Sequence, residues 1–231
     1  ASGRATLQDL VASHNIVIAG ESNEQLAIDD LSFETFNIWN PRIILTTISG
    51  FGSFGPYSSY EHSHLINCAT GGWAHLCGMP DKEPLQAGGA ISETLTGAFA
   101  AVAALLAARG RKTHDHGEHV DVSAQEAVLA GAQLPTLLYE YRGLVPGRYS
   151  SVGSGAGAAF MLKTDDGYIG LNALTRAQWF MLCDFLGRGD IAENPDNEGI
   201  SWMNPDMRIE DIRNAFAAAL AGRDAEQLFH Q

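Results

Sequence analysis

Three short apolar runs, "NIVIAG" at 15–20, "RIILTTISGFG" at 42–52 and "HVDVS" at 119–123, alternate with stretches of helical spacing. This alternation restricts the fold more than any other feature of the chain. Strands joined through helices cannot be hairpin neighbours, so they pair in parallel, and a parallel sheet needs helices on its faces. The first run reads as a short buried strand, and the second as a strand running into a glycine turn. "TLQDLVASH" and "LSFETFNIWNP" have helical spacing, the second ending at Pro41. Further helices are expected over 64–77, 93–109 and from Ala124 to about Tyr141. The predicted class is α/β, a Rossmann-like parallel sheet flanked by helices.

The pattern breaks at "RGLVPGRYSSVGSGAGAA", residues 142–159, where Gly, Ser and Pro impose irregular backbone. Beyond it, "AFMLKTDDGYIGLNA" reads as two strands joined by a turn at Asp165, Asp166 and Gly167. Helices are expected at 175–187 and 208–221. We therefore expect a large domain over 1–150 and a smaller α+β domain over 151–231, after a Gly-rich linker.

A net charge of -13 argues against nucleic acid or an anionic membrane as partner, while local N–H groups can still hold an anionic ligand. Cys68, Cys77 and Cys183 follow no zinc-site spacing and read as reduced thiols. No signal peptide is apparent. The longest apolar run, Ala98 to Ala108, falls short of membrane length. A cytoplasmic protein is expected.

Three stretches could carry chemistry. Glu93 opens a long apolar helix. With Ser92 read as N-cap, an acid in the first turn suits the helix dipole without any function, so both readings stand here. "HDHGEHVD" supplies His114, His116, His119 and Asp121, but their spacing straddles a turn and a strand start. A solvated turn is the expectation, with no metal, and "EHSH", holding His62 and His64, is read likewise. "GSGAG", residues 153–157, suits a lid, an anion-cradling loop or a linker, and is no dinucleotide fingerprint because a strand follows it. The chain has no GxSxG elbow, Walker A sequence or HExxH.

The order of several segments resembles the class III CoA-transferase family, which includes formyl-CoA transferase, carnitine CoA-transferase and α-methylacyl-CoA racemase. These are "NPRIILTTISGFGSFGPY" (40–57), Gly71–Gly72, "ETLTG" (93–97), "AALLAARGRKT", "GEHVDVSAQEAVL" and "TDDGYIGLNA". The resemblance implies transfer of CoA between two carboxylic acids, with acyl-CoA as substrate and no permanently bound cofactor. The family nucleophile is the aspartate of "D-x-x-T-G"; Glu93 stands at that place, its carboxylate carried about one C–C bond, ~1.5 Å, further out. Ser63 and His64 match substrate-site positions of the family, Ser63 standing where racemases have histidine and transferases often tyrosine. Gly153, Gly155 and Gly157 match the glycine loop that closes over the nucleophile.

Two alternatives accompany this reading: a non-catalytic domain or subunit of a tandem or heteromeric enzyme, and an acyl-CoA racemase. The family's interlocked dimers imply a homodimer, or a heteromer with a related subunit. Against the family's pattern the chain reads as the middle of a longer protein, with "AGESNE" (19–24) where a basic CoA-holding turn is usual. These 231 residues alone are therefore expected to bind CoA weakly or not at all. Calorimetry with CoA checks this, and micromolar affinity at physiological salt would contradict it.

Overall fold

The computed structural model describes residues 2–21, 23–78, 81–143, 145, 147–148, 158–197 and 209–231. Its contacts divide the chain into two compact units, Ala1–Cys77 with Leu85–Leu144, and Gly78–Pro84 with Val145–Gln231.

In the first unit, helix α1 (Ser2–Ser13) leads into β1 (Ile16–Ala19), followed by α2 (Asn23–Ile28), α3 (Phe33–Trp39) and β2 (Ile44–Ser49). After β2 come α4 (His64–Thr70), α5 (Trp73–Leu76), α6 (Ile91–His114), β3 (Glu118–Ser123), α7 (Ala124–Gly131) and α8 (Gln133–Arg142). The three strands form a parallel sheet in the order β1-β2-β3. Ile16 pairs with Ile44, and Ile44 with Glu118.

Alternation along β2 explains the layers. Ile43 and Leu45 turn to one face and join Val11 of α1 and Phe36 of α3 in an apolar cluster. Asn40, just before Pro41, donates from Nδ2 to the carbonyls of Val11 (3.0 Å) and His14 (2.9 Å), so one side chain ties the end of α1 to the end of α3. The other face, with Ile44 and Thr46 fully buried, is covered by α6, which packs on β2 and β3. The buried stripe of α6 is Ser92, Thr96, Ala100, Ala104 and Ala107. Small side chains there let the helix lie close to the sheet.

Four details differ from the sequence reading. The first strand is only partly buried, with Ile18 66% exposed, because α6, which covers this face of the sheet, packs on β2 and β3. The 64–77 helix is broken at Gly71–Gly72: Gly72 adopts φ +82°, and Gly71 lies so close to Val128 that a Cβ would fall 2.6 Å from it. The helix after β3 is divided at Ala132. Finally, α6 runs to His114 rather than Arg109, since Arg111, Lys112 and His114 suit the negative end of a helix. At 24 residues it is, by length and composition, long and apolar enough to cross a membrane, contrary to the shorter run seen in the sequence. Here one stripe is packed on the sheet, and Phe99, Val102, Leu105 and Leu106 are exposed.

In the second unit, β4 (Ala158–Lys163) and β5 (Tyr168–Ala173) form an antiparallel pair, Phe160 opposite Leu171. The turn between them closes with Thr164 N–H on the Gly167 carbonyl, 2.9 Å. Helices α9 (Arg176–Phe185), α10 (Gly189–Glu193), α11 (Ile209–Leu220) and α12 (Ala225–Phe229) follow. Thr175 and Gln178 form a capping box that starts α9. Phe160, Leu171, Trp179, Phe216 and Leu220 share the core of this unit. The turn acids also serve α12, with Asp166 Oδ1 accepting from the Ala225 N–H at 2.7 Å. Gly153, Gly155 and Gly157, and with them the expected boundary near residue 150, lie outside the described residues.

Candidate active site

In an open parallel sheet, ligands gather where the strands end at their carboxyl termini, because the connecting loops and helix N-termini meet there. Strand β2 ends at Ser49 and β3 at Ser123, on that edge. Helix α6 returns from it to the start of β3, so its first turn, with Glu93, lies at the carboxyl edge.

The loop leaving β2 is pinned by β3. Asp121 accepts hydrogen bonds from the Ser53 N–H (2.7 Å), the Ser53 hydroxyl and the Thr47 hydroxyl (3.1 Å). Gly52, at φ +83°, makes the turn that Asp121 holds, and Gly50 leaves the space into which the His62 ring folds. The chain thus returns to begin α4, where Ser63 accepts from the Ile66 N–H (3.3 Å) as N-cap. Ser63, a substrate-site position by resemblance, is a helix cap in this geometry. His119, grouped with the other histidines in the sequence, instead bonds Thr47 (2.9 Å) and stacks on Phe33.

His64, the first residue of α4, meets Glu93 across 28 intervening residues. Its Nδ1 lies 3.0 Å from Glu93 Oε2 and 2.9 Å from Ser92 Oγ, and its Nε2 lies 3.0 Å from the Ala87 carbonyl. The Ser92 hydroxyl donates to the same Glu93 oxygen at 2.9 Å. Solvated-turn character, expected for "EHSH", is therefore wrong for His64, whose side chain is only 14% exposed. The expected capping role of Ser92 is also wrong. Ala90 occupies the cap position, and Ser92 is fully buried in the first turn, its hydroxyl turned to Glu93 and His64. Glu93 itself stands in the first turn, as expected, with more than half its side chain open to solvent.

Proton bookkeeping follows from these partners. A carbonyl only accepts, so Ala87 requires hydrogen on Nε2; an ionised Glu93 only accepts, so it requires hydrogen on Nδ1. The geometry is that of an imidazolium–carboxylate pair. The Ala87 carbonyl first, and then Glu93, hold the His64 pKa above its ordinary 6.5. The Glu93 backbone N–H first, and then Ser92 and His64, hold the Glu93 carboxyl below its ordinary 4.5. The signs oppose each other. The His64 contribution to stability is complete below 6.5 and is lost as pH rises through the raised folded value. The Glu93 contribution is complete above 4.5 and is lost as pH falls through the lowered folded value. When His64 loses its Nδ1 proton, Glu93 loses that donor, and the Ser92 hydroxyl can donate to either side chain.

Cys68 lies 3.8 Å from His64 Nε2, but burial first, and then the Glu93 charge, push its thiol pKa up, so it packs as a small hydrophobe. An NMR titration of the His64 ring is expected to show a midpoint above 6.5, moving down in Glu93→Gln. An unmoved midpoint would mean the two side chains do not interact in solution.

Fold and site define an α/β protein with a hydrogen-bonded carboxylate at the carboxyl edge of its sheet. The chain belongs to CoA-transferase family III, whose pattern matches residues 1–230. It is 29% identical over 195 residues to the succinate–glutarate CoA-transferase of Agrobacterium fabrum, an alignment covering 83% of this chain and 48% of the relative. It is 30% identical to the succinyl-CoA–D-citramalate CoA-transferase of Chloroflexus aurantiacus, covering 84% of this chain and 48% of that one. The formyl-CoA:oxalate CoA-transferase of Streptomyces avermitilis is 26% identical, covering 93% and 55%. This chain thus spans about half the length of the curated relatives it matches. In fold it is similar to a CaiB/BaiF family protein of Brucella suis, with a TM-score of 0.74 at 24% identity over 99% of this chain and 60% of that one. These matches favour neither the racemase nor the non-catalytic alternative.

Proposed function

We propose that this chain carries the nucleophilic carboxylate of a CoA-transferase that moves CoA between two carboxylic acids. The observation that supports it is Glu93, exposed and held by His64 and Ser92 in the first turn of α6, where the resemblance puts the family's nucleophile.

The chemistry runs through Glu93 in four balanced steps. Its carboxylate attacks the thioester carbonyl of the donor acyl-CoA, forming a mixed anhydride and expelling CoA thiolate. The thiolate attacks the glutamyl carbonyl of that anhydride, giving a glutamyl-CoA thioester and releasing the donor acid. The acceptor carboxylate attacks this thioester, again expelling thiolate and forming a second anhydride. Thiolate attack on the acceptor's carbonyl then yields the new acyl-CoA and regenerates Glu93.

In this reading the α6 N-terminus and Ser92 stabilise the negative charge that gathers on the attacked carbonyls. By the family resemblance, Gly153, Gly155 and Gly157 are the residues proposed to keep water from the anhydride. The partners are acyl-CoA, a carboxylic acid and a second subunit, either a copy of this chain or a related one. The test is intact-protein mass spectrometry of the full-length protein after incubation with succinyl-CoA, as probe donor. A CoA-sized mass increase that hydroxylamine discharges is the expected result. No adduct with any of a panel of short acyl-CoA donors would overturn the reading.

A further inference from the structure

At the end of α6 remote from Glu93, the structure assigns a second, unrelated site: a divalent transition-metal site made by His114, His116 and Glu118. Zn²⁺ is the ion its chemistry fits best. One ligand atom from each of the three residues lies within 4.8 Å of the others. The sequence hid this set by suggesting His119 as third member. That ring belongs to the opposite face of the sheet, on Thr47 and Phe33, and Glu118 takes its place.

Three features make these residues a ligand set rather than an accidental cluster. First, His116 Nδ1 lies 3.0 Å from the Gly117 carbonyl. Because a carbonyl only accepts, hydrogen sits on Nδ1 and Nε2 presents its lone pair outward, the arrangement typical of a metal-bound imidazole. Second, His114 Nε2 is 3.1 Å from Glu118 Oε1, close to the ~3.3 Å that ligand atoms ~2.0 Å from a tetrahedral Zn²⁺ keep between them. Third, the His114 and His116 rings lie together, their centroids 4.0 Å apart.

The surroundings favour a cation too. His114 is the last residue of α6, where the helix dipole is negative. Of the nearby charges, Asp115 is paired with Arg42 (2.7 Å), and Arg111 is engaged by the Arg42 carbonyl and Asn15. Lys112 stands in the same helical turn and opposes binding. Two imidazoles and one carboxylate leave a fourth position for water. The ion would clamp the end of α6 to the start of β3.

The experiment is titration of the full, metal-free chain with ZnCl₂ against a chromophoric chelator. It is paired with ¹⁵N NMR of the histidine rings. Wild type is expected to bind with the His114 and His116 ring signals moving together and His64 unmoved. His116→Ala, at an exposed position, should weaken binding by at least the roughly 10–100-fold that even an outer partner's loss costs. Glu118→Gln should weaken it in the same direction, and His75→Ala should leave it unchanged. Failure of wild type to compete with the chelator would overturn the assignment. So would equal affinity in His116→Ala, or ring shifts confined to other histidines. None of these outcomes bears on CoA transfer.

Discussion

Replacing Glu93 by glutamine abolishes covalent capture of CoA, because an amide can form neither the anhydride nor the thioester. The substitution keeps the length and shape of the side chain, and the site sits on a helix that is anchored elsewhere. Loss of labelling therefore reports chemistry and not folding. Glu93→Asp is the instructive companion. It restores the residue usual in the family and retracts the carboxylate by ~1.5 Å. A misplacement of ~1 Å costs about a hundredfold in rate. If the family's geometry governs the site, Asp labels as fast as wild type or faster. If His64 and Ser92 have adapted to the longer side chain, Asp labels more slowly. Mass spectrometry of the three proteins over a time course separates these outcomes. Equal labelling of wild type and Glu93→Gln would show that another residue is the attachment point.

The largest loss of stability is expected at Gly117. A Cβ there would fall 2.1 Å from the Ile43 carbonyl oxygen and 2.9 Å from its nitrogen, both main-chain atoms at the entrance to the central strand. The neighbouring ladder cannot yield easily: Gly117 N–H bonds the Pro41 carbonyl at 2.8 Å, and Glu118 N–H bonds the Ile43 carbonyl at 3.1 Å. Gly117→Ala should cost ~3 kcal/mol or more, the upper part of the range for overpacking. For a chain of this length that lowers Tm by roughly 6–12 °C. Gly3→Ala, in a helix with nothing within 4 Å of the new methyl, is the control and should be neutral or slightly stabilising. Thermal melts of the two variants decide it, and a Gly117→Ala Tm equal to wild type would refute the close approach.

What the sequence disclosed, and what it hid, follows the reach of each interaction. The central strand was legible because "IILTTIS" combines β-branched residues with a glycine turn, and its parallel pairing follows from the helices around it. The helix breaks at Gly71–Gly72 and Ala132 were not legible as breaks of conformation, since a small residue there fits continuous helix equally well. Gly71 is small because Val128, 57 positions on, leaves no room. Ser92 misled for a related reason. A serine before a first-turn acid reads as a cap, yet folding turns its hydroxyl inward to a histidine from another helix. Glu93 was visible as a motif. Its partner was not, because no local pattern joins residues 64 and 93.

The seating of α6 has a consequence for where the Glu93 carboxylate stands. Ala100, Ala104 and Ala107 present a smooth track, which resists sliding along the helix axis less than interdigitated large side chains do. Axial travel must then be stopped at the ends. Ser92 engages one end through His64 of α4. At the other, Arg111 grips the Arg42 carbonyl (2.6 Å) and Asn15 (2.9 Å), about 27 Å along the axis from Glu93. A slip of a single residue's rise is ~1.5 Å, the same length as the methylene by which glutamate exceeds aspartate. Arg111 thus stands as an end stop for a calibrated rod, and on the proposed function the reach of the carboxylate is set partly by a guanidinium far from it.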